Sequence, residues 1–167
     1  TAESPASCGL DAVAGYTRTG MAKAQRTIEV DVPPEAFFGM LQDYARYPEF
    51  QPDVKSVRVG PRSGDSVEVS YRLDAKVKTI EFTLLHVEKP PLRVEWKLLR
   101  GELIRRDEGA WTLERTAQGG TRATYSIELS FAPPFGAALE RALAEQGLPG
   151  LLLRFKQRAE QLHRAAP

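Results

Sequence analysis

The sequence predicts an α+β domain in which an antiparallel β-sheet is covered on one face by a long C-terminal helix. Two patterns carry this reading. Between Val54 and Phe131, apolar and polar residues alternate in successive segments separated by turn residues, the mark of strands with one wet face. After Pro149 the period changes. Leu148, Leu151, Leu152, Phe155, Ala159 and Leu162 fall along one stripe of an α-helix, with Arg154, Lys156, Arg158 and Glu160 expected in water. A sheet needs its apolar face covered, and this stripe supplies the cover.

Composition bounds the rest. A chain of 167 residues, 42% hydrophobic and 27% charged, fits one globular domain with a real core. Its 23 basic and 22 acidic residues give a net charge of +1, which argues against bulk nucleic-acid binding, so no nucleic-acid partner is expected. No apolar run is long enough to span a membrane. One cysteine, Cys8, and two histidines, His86 and His163, leave little for a disulfide or a metal centre. The expectation is a cytoplasmic protein, monomeric or weakly dimeric, with no metal and no cofactor.

Residues 1–22 are rich in small residues without a sustained period and read as an N-terminal extension, native or vector-derived, ahead of a domain over 23–164. Ile28, Val30 and Val32 alternate with acids as a first strand. Pro33-Pro34-Glu35 stops it and opens a helix, because proline and an acid both suit a first turn. Phe37, Met40, Leu41 and Tyr44 then follow at helical spacing, and the proline-bound stretch Tyr47 to Pro52 reads as a short helical turn or a loop. Strands are predicted at Val54–Val59, Val67–Leu73, Val77–Val87, Leu92–Leu98, Ile104–Leu113 and Ala123–Phe131. Turns are placed at Gly60–Asp65, at Lys89-Pro90-Pro91 and at Gln118-Gly119-Gly120. Phe135, Leu139, Ala142 and Leu143 have helical spacing too. Gly147-Leu148-Pro149-Gly150 then predicts either a broken helix or two helices in series.

Several pieces taken in order carry a family resemblance. They are Val32-Pro33-Pro34-Glu35-Ala36-Phe37-Phe38, Asp43-Tyr44-Ala45-Arg46-Tyr47-Pro48-Glu49-Phe50, Val94-Glu95-Trp96-Lys97-Leu98 leading into Gly101, and Gly109-Ala110-Trp111-Thr112-Leu113 followed by the Gly119-Gly120-Thr121 turn. From Ile28 to Glu160 the chain resembles the polyketide cyclase/dehydrase-like branch of the START-related superfamily, which includes coenzyme Q-binding proteins and the ribosome-association toxin. The resemblance implies the helix-grip fold, START-like or Bet v1-like, with a curved antiparallel sheet on a long C-terminal helix and two short helices after the first strand. It implies no particular reaction, because members range from lipid carriers to ring-closing catalysts.

The residues themselves offer little catalytic machinery. There is no G-x-x-x-x-G-K loop, no G-x-S-x-G elbow and no H-E-x-x-H, and no catalytic residue is assigned. His86 shares a strand face with Ile80, Phe82 and Leu84, so it can point inward to a ligand; a strand-end histidine bonded to backbone or water is the plainer reading. The run Arg105-Arg106-Asp107-Glu108 is either a charged strand end in solvent or a charge beside an apolar pocket.

The aromatic residues are more informative, since they exceed what filling a thin two-layer core requires. A cavity is therefore expected between sheet and helix, bounded by Phe38, Tyr44 and Phe50 from the helical segment, by Tyr71, Phe82, Trp96, Trp111 and Tyr125 from the strands, and by Leu139, Leu148 and Leu152 from the lid. A solid core is the alternative. The function that follows is a carrier or binding protein for a hydrophobic or aromatic small molecule, with lipid, quinone and polyketide-like rings suggested by the resemblance. Two alternatives stand beside it. An aromatase/cyclase would use Tyr71, His86 and Tyr125 to polarise carbonyls. An interaction protein of the ribosome-association type would dock through Arg154, Lys156 and Arg158.

Overall fold

The computed structural model describes residues 13–17, 21–76, 78–134, 136–143 and 147–167; Cys8, Val77 and Phe135 lie outside them. The described strands are β1 (Val13–Thr17), β2 (Met21–Val30), β3 (Val54–Ser63), β4 (Ser66–Asp74), β5 (Thr79–Lys89), β6 (Arg93–Gly101), β7 (Ile104–Arg115) and β8 (Thr121–Phe131). They form one sheet in the order β1-β2-β8-β7-β6-β5-β4-β3, and every neighbouring pair is antiparallel. From β3 to β8 the chain is a meander, as the alternation predicts. Helix α1 (Pro34–Gln42) and a 3-10 turn (Tyr44–Glu49) follow β2; α2 (Gly136–Ala142) and α3 (Leu148–Ala165) close the chain in series. Helix α3 begins at Leu148 with Pro149 in its first turn, where a missing N–H leaves no helical bond unmade.

The sheet is larger than the alternation alone indicates. Strand β2 starts seven residues before Ile28, at Met21, and Val13–Thr17 pairs with it as an eighth strand within the segment read as an extension. Ala22 and Ala24 carry the inward face of early β2 and are buried, but alanine gives a weak hydrophobic signal. Strand β3 passes through the expected turn at Gly60-Pro61 and ends at Ser63; the chain reverses at Gly64, whose φ of 57° is ordinary for glycine. Pro61 is tolerated because β3 lies at the sheet edge and its pairing with β4 shifts register between Val59 and Arg62.

Leu152 and Phe155 of α3 are buried, as their stripe predicts, in a core with Phe37, Leu41, Tyr44, Val67 and Leu113. Ile80, Ile104, Leu129, Phe131 and Leu139 form a second cluster under α2. The opposite face of α3 differs from expectation. Arg154 Nε donates to Gln51 Oε1 at 2.8 Å, Lys156 Nζ to the Glu29 carbonyl at 2.6 Å, and Arg158 to Glu49 Oε2 at 2.5 Å. Glu160 accepts the Asp31 N–H. These side chains do not stay free in water; they fasten the helix to the end of β2 and to the segment of the 3-10 turn.

Candidate functional site

Between the inner face of the sheet and α3 lies a cavity of about 200 Å³, lined mostly by apolar atoms. Tyr71, Phe82, Trp96, Trp111, Tyr125 and Leu148, all expected on its wall, line it. Phe38, Tyr44, Phe50, Leu139 and Leu152 are not part of the lining. Phe38, Tyr44 and Leu152 are packed in the main core, Phe50 meets Tyr47 and Phe155 edge-on at its margin, and Leu139 sits in the second cluster. Their places on the wall are taken by Tyr47, Leu151 and Phe155, one or three residues away along the helical segments. Helical periodicity identifies the buried stripe, but not which side of that stripe borders open space.

The inner wall is built on a glycine. Trp96 of β6 stands directly opposite Gly109 of β7, and a Cβ on Gly109 would collide with Trp96 Cζ2 and with the Ser126 carbonyl oxygen of β8. With no side chain there, the indole lies across β7. Its Nε1–H donates to Asp107 Oδ1 at 2.8 Å, two residues along the same inward face. Trp96 also packs on Tyr125, with centroids 5.3 Å apart, and Tyr125 meets Trp111 edge-on at 4.9 Å. The Trp96, Gly109 and Trp111 positions of the resemblance are thus one packing unit.

Asp107 is therefore no solvated strand end. It is 6% exposed, and burial pushes its carboxyl up to about 7, with the Trp96 hydrogen bond pulling the other way. Trp96 is the one hydrogen-bond donor that the described residues supply to it. The parity of β7 hints at this place: stepping back in twos from Trp111 leads through Gly109 to Asp107. A register irregularity between Ile104 and Arg106 hides that parity among the flanking charges.

His86 also points inward, and its bond is to a side chain. Its Nε2 lies 2.9 Å from the Tyr71 hydroxyl, its ring packs 4.5 Å from Tyr44, and it faces Trp96 across β5 and β6. Burial lowers its pKa to about 4, so the ring is neutral at physiological pH. Its Nδ1 is buried without a partner among the described residues. The opposite end of the cavity reaches solvent through a polar rim of Gln51, Asp53, Asp74 and Arg154. Asp53 and Asp74 are engaged there by Lys76 and Lys55.

A second polar cluster stands behind His86. Glu88, 3% exposed, accepts hydrogen bonds from Tyr44 Oη at 2.9 Å, Gln42 Nε2 at 3.0 Å and Arg62 at 2.6 Å. Burial opposes its ionisation, but these three partners outweigh it and hold the carboxylate below its ordinary range. The cluster ties α1 to β3 and β5 and does not line the cavity. Among the described residues no group of three or more His, Cys, Asp or Glu side chains is placed to hold a metal ion, and no helix is long and apolar enough to cross a membrane.

Comparison with known proteins agrees with this architecture. The family described as polyketide cyclase / dehydrase and lipid transport matches residues 21–166. The ribosome association toxin RatA of Pseudomonas aeruginosa is 25% identical over 139 residues, which are 83% of this chain and 96% of that protein. Among solved structures, the Zhui aromatase/cyclase from Streptomyces sp. R1128 superposes with a TM-score of 0.78 at 16% identity, covering 87% of this chain and 97% of that one. A STAR-related lipid transfer protein from Xanthomonas axonopodis superposes with a TM-score of 0.71 at 15% identity, covering 90% and 99%. At these identities the solved structures share the fold.

Proposed function

The chain belongs to the polyketide cyclase / dehydrase and lipid transport family, and from that premise we propose that its cavity holds a compact hydrophobic or aromatic molecule and that the protein acts as its carrier or binding protein. The observation that carries the reading is the aromatic wall: Tyr71, Phe82, Trp96, Trp111, Tyr125 and Phe155 surround open space. At about 200 Å³ the cavity is smaller than the roughly 300–1,000 Å³ of pockets for drug-sized ligands, which favours a few fused rings over a whole long-chain lipid. The lipid transfer protein among the structural neighbours is in keeping with a carrying role.

One observation favours the aromatase/cyclase as a second reading. Asp107 and His86 both reach the cavity wall, and a carboxyl poised near neutral pH has the strength for general acid–base work. His86, with its pKa near 4, is a weak base, and the described residues supply no partner to orient its Nδ1. The ribosome-association reading has less support, because the three basic residues of α3 it would dock with are engaged within the fold.

The test is titration with the uncharged fluorophore N-phenyl-1-naphthylamine, alongside native mass spectrometry of protein from its own cells. Probe fluorescence should rise on binding, and a co-purifying ring compound should displace it. Trp96→Ala should weaken binding and His86→Ala should leave most of it. No binding by any apolar probe, with nothing co-purifying, would remove the carrier. Turnover of a poly-ketone substrate that His86→Ala or Asp107→Asn abolishes, with binding kept, would put the cyclase first.

A further inference from the structure

The inner cavity contains polar groups that a hydrocarbon ligand would leave unpaired. Asp107 presents a buried carboxyl with one oxygen fixed by Trp96, Tyr125 stands beside it, and the His86 ring faces Trp96 from the other side. A desolvated polar group without a partner costs about 1–3 kcal/mol, so a saturated or purely aromatic hydrocarbon would bind here against that penalty. Among the described residues no cation is placed to neutralise Asp107. Arg106 turns to the outer face with Glu108 and Glu128, Lys23 pairs with Glu128, and Arg154, the one described cation lining the cavity, sits at the rim on Gln51.

Resting on the carrier reading, we propose that Asp107 is the anchoring residue of the cavity and donates a hydrogen bond to a neutral acceptor on the ligand, a ketone or quinone oxygen conjugated to a ring. The geometry selects this chemistry. Trp96 Nε1–H orients one carboxyl oxygen and leaves the other for the ligand, while Trp96 and Tyr125, packed together with centroids 5.3 Å apart, form one aromatic surface beside it. The carboxyl keeps its proton up to about pH 7, so it acts as a donor in the neutral range, where an ordinary aspartate is an acceptor only. An anionic head group is disfavoured at this end, since no described cation is placed there to offset its desolvation.

A pH signature follows. The other ionisable groups facing Asp107 are His86 from β5, Tyr71 from β4, Tyr125 from β8 and Tyr47 from the 3-10 turn, with Glu108 adjacent on β7. His86 titrates near 4 and burial raises all three tyrosines, so none of these four changes charge between pH 6 and 8.5. A ligand that needs the protonated carboxyl loses affinity by up to about tenfold per pH unit above the free value.

The experiment compares 2-acetylnaphthalene with 2-isopropylnaphthalene, nearly the same shape with and without the carbonyl. Binding to the 15N-labelled full chain is followed at the two tryptophan indole N–H signals at pH 6.0 and 8.5. The ketone should bind at least fivefold more weakly at pH 8.5, and the hydrocarbon should show no pH dependence. Asp107→Asn keeps an acceptor for Trp96 and adds a permanent N–H donor, so it should retain ketone binding at both pH values. Equal ketone binding at both pH values in the unmodified protein overturns the anchor while leaving the carrier reading intact, and needs no variant to fold. Persistent pH dependence in Asp107→Asn also overturns it, by assigning the effect to another group. Failure of both naphthalenes and of N-phenyl-1-naphthylamine defeats the carrier reading and the anchor with it.

Discussion

Replacing Gly109 with alanine tests the packing unit on which the inner wall depends. The added methyl meets Trp96 Cζ2 and the Ser126 carbonyl and lies 2.8 Å from Trp96 Cε2, so either the indole or strand β8 must move. Overpacking of this kind costs about 1–3 kcal/mol. If the indole swings away, the Trp96–Asp107 hydrogen bond breaks and a buried carboxyl loses its donor, for about 1–3 kcal/mol more. Alanine returns about 0.5–1 kcal/mol relative to glycine within a strand. The net loss is about 2–4 kcal/mol, or roughly 5–15 °C in Tm for a chain of this size. Urea denaturation followed by circular dichroism measures it. Combining Gly109→Ala with Trp96→Phe, which removes the atoms struck, should recover at least about 1 kcal/mol relative to the sum of the single changes. A Gly109→Ala protein within about 0.5 kcal/mol of the original, or strict additivity with Trp96→Phe, would refute the account of the glycine.

Three other outcomes follow from the same structure. Phe155→Ala, which removes edge contacts with Tyr47, Phe50 and Trp111, should cost about 3 kcal/mol, the low end for Phe→Ala because the ring already borders open space; denaturant midpoints check it, and a loss under 1 kcal/mol would contradict the burial. His86 is lowered from 6.5 to about 4, so the unfolded chain takes up its proton first and this group costs stability as pH falls from 6.5 to 4. Asp107 is raised from 3.8 to about 7, so the folded chain holds its proton first and this group adds stability as pH falls from 7 to 3.8. The two slopes, each about 1.4 kcal/mol per pH unit, oppose each other between 4 and 6.5. His86→Gln should therefore gain stability over the original protein as pH drops from 6.5 to 4.5, measured as the difference between urea midpoints, and a flat difference would mean that His86 is not held neutral. Glu88 is depressed in the folded state, so its contribution is complete above about 4.5 and lost as pH falls through the folded value; Glu88→Gln should cost about 1–3 kcal/mol at pH 7, with Arg62 half exposed, and should flatten the acid limb of the stability profile.

The sheet and its helical cover are legible because strands with one wet face advertise themselves in twos and α3 in threes and fours. Three things escape that pattern. Early β2 uses alanine inward, which does not distinguish a strand from a tail. Pro61 reads as a turn because only the sheet order reveals that β3 is an edge. Asp107 reads as surface because its own strand is irregular next to it, and burial of a carboxylate depends on Trp96 arriving from β6, a contact that no local window contains. The cavity wall was half legible for a related reason. Tyr71, Phe82, Trp96, Trp111 and Tyr125 sit on strands, where parity gives the face. Tyr44, Phe50 and Leu152 sit on or beside helical segments, where a rotation of one residue separates core from cavity.

The irregular passage of β3 through Pro61 bears on how the molecule meets others of its kind. A sheet edge normally offers a free row of N–H and C=O groups that a second molecule can extend into a continuous ladder. Along β3 that row lacks the N–H of Pro61, is offset where the register shifts between Val59 and Arg62, and carries the charges of Lys55, Arg58 and Arg62. A foreign strand aligning there could pair for a few residues and would then lose both hydrogen bonds and charge balance. The device that the sequence presents as a misplaced turn thus works as a guard against edge-to-edge polymerisation on the β3 side of the sheet.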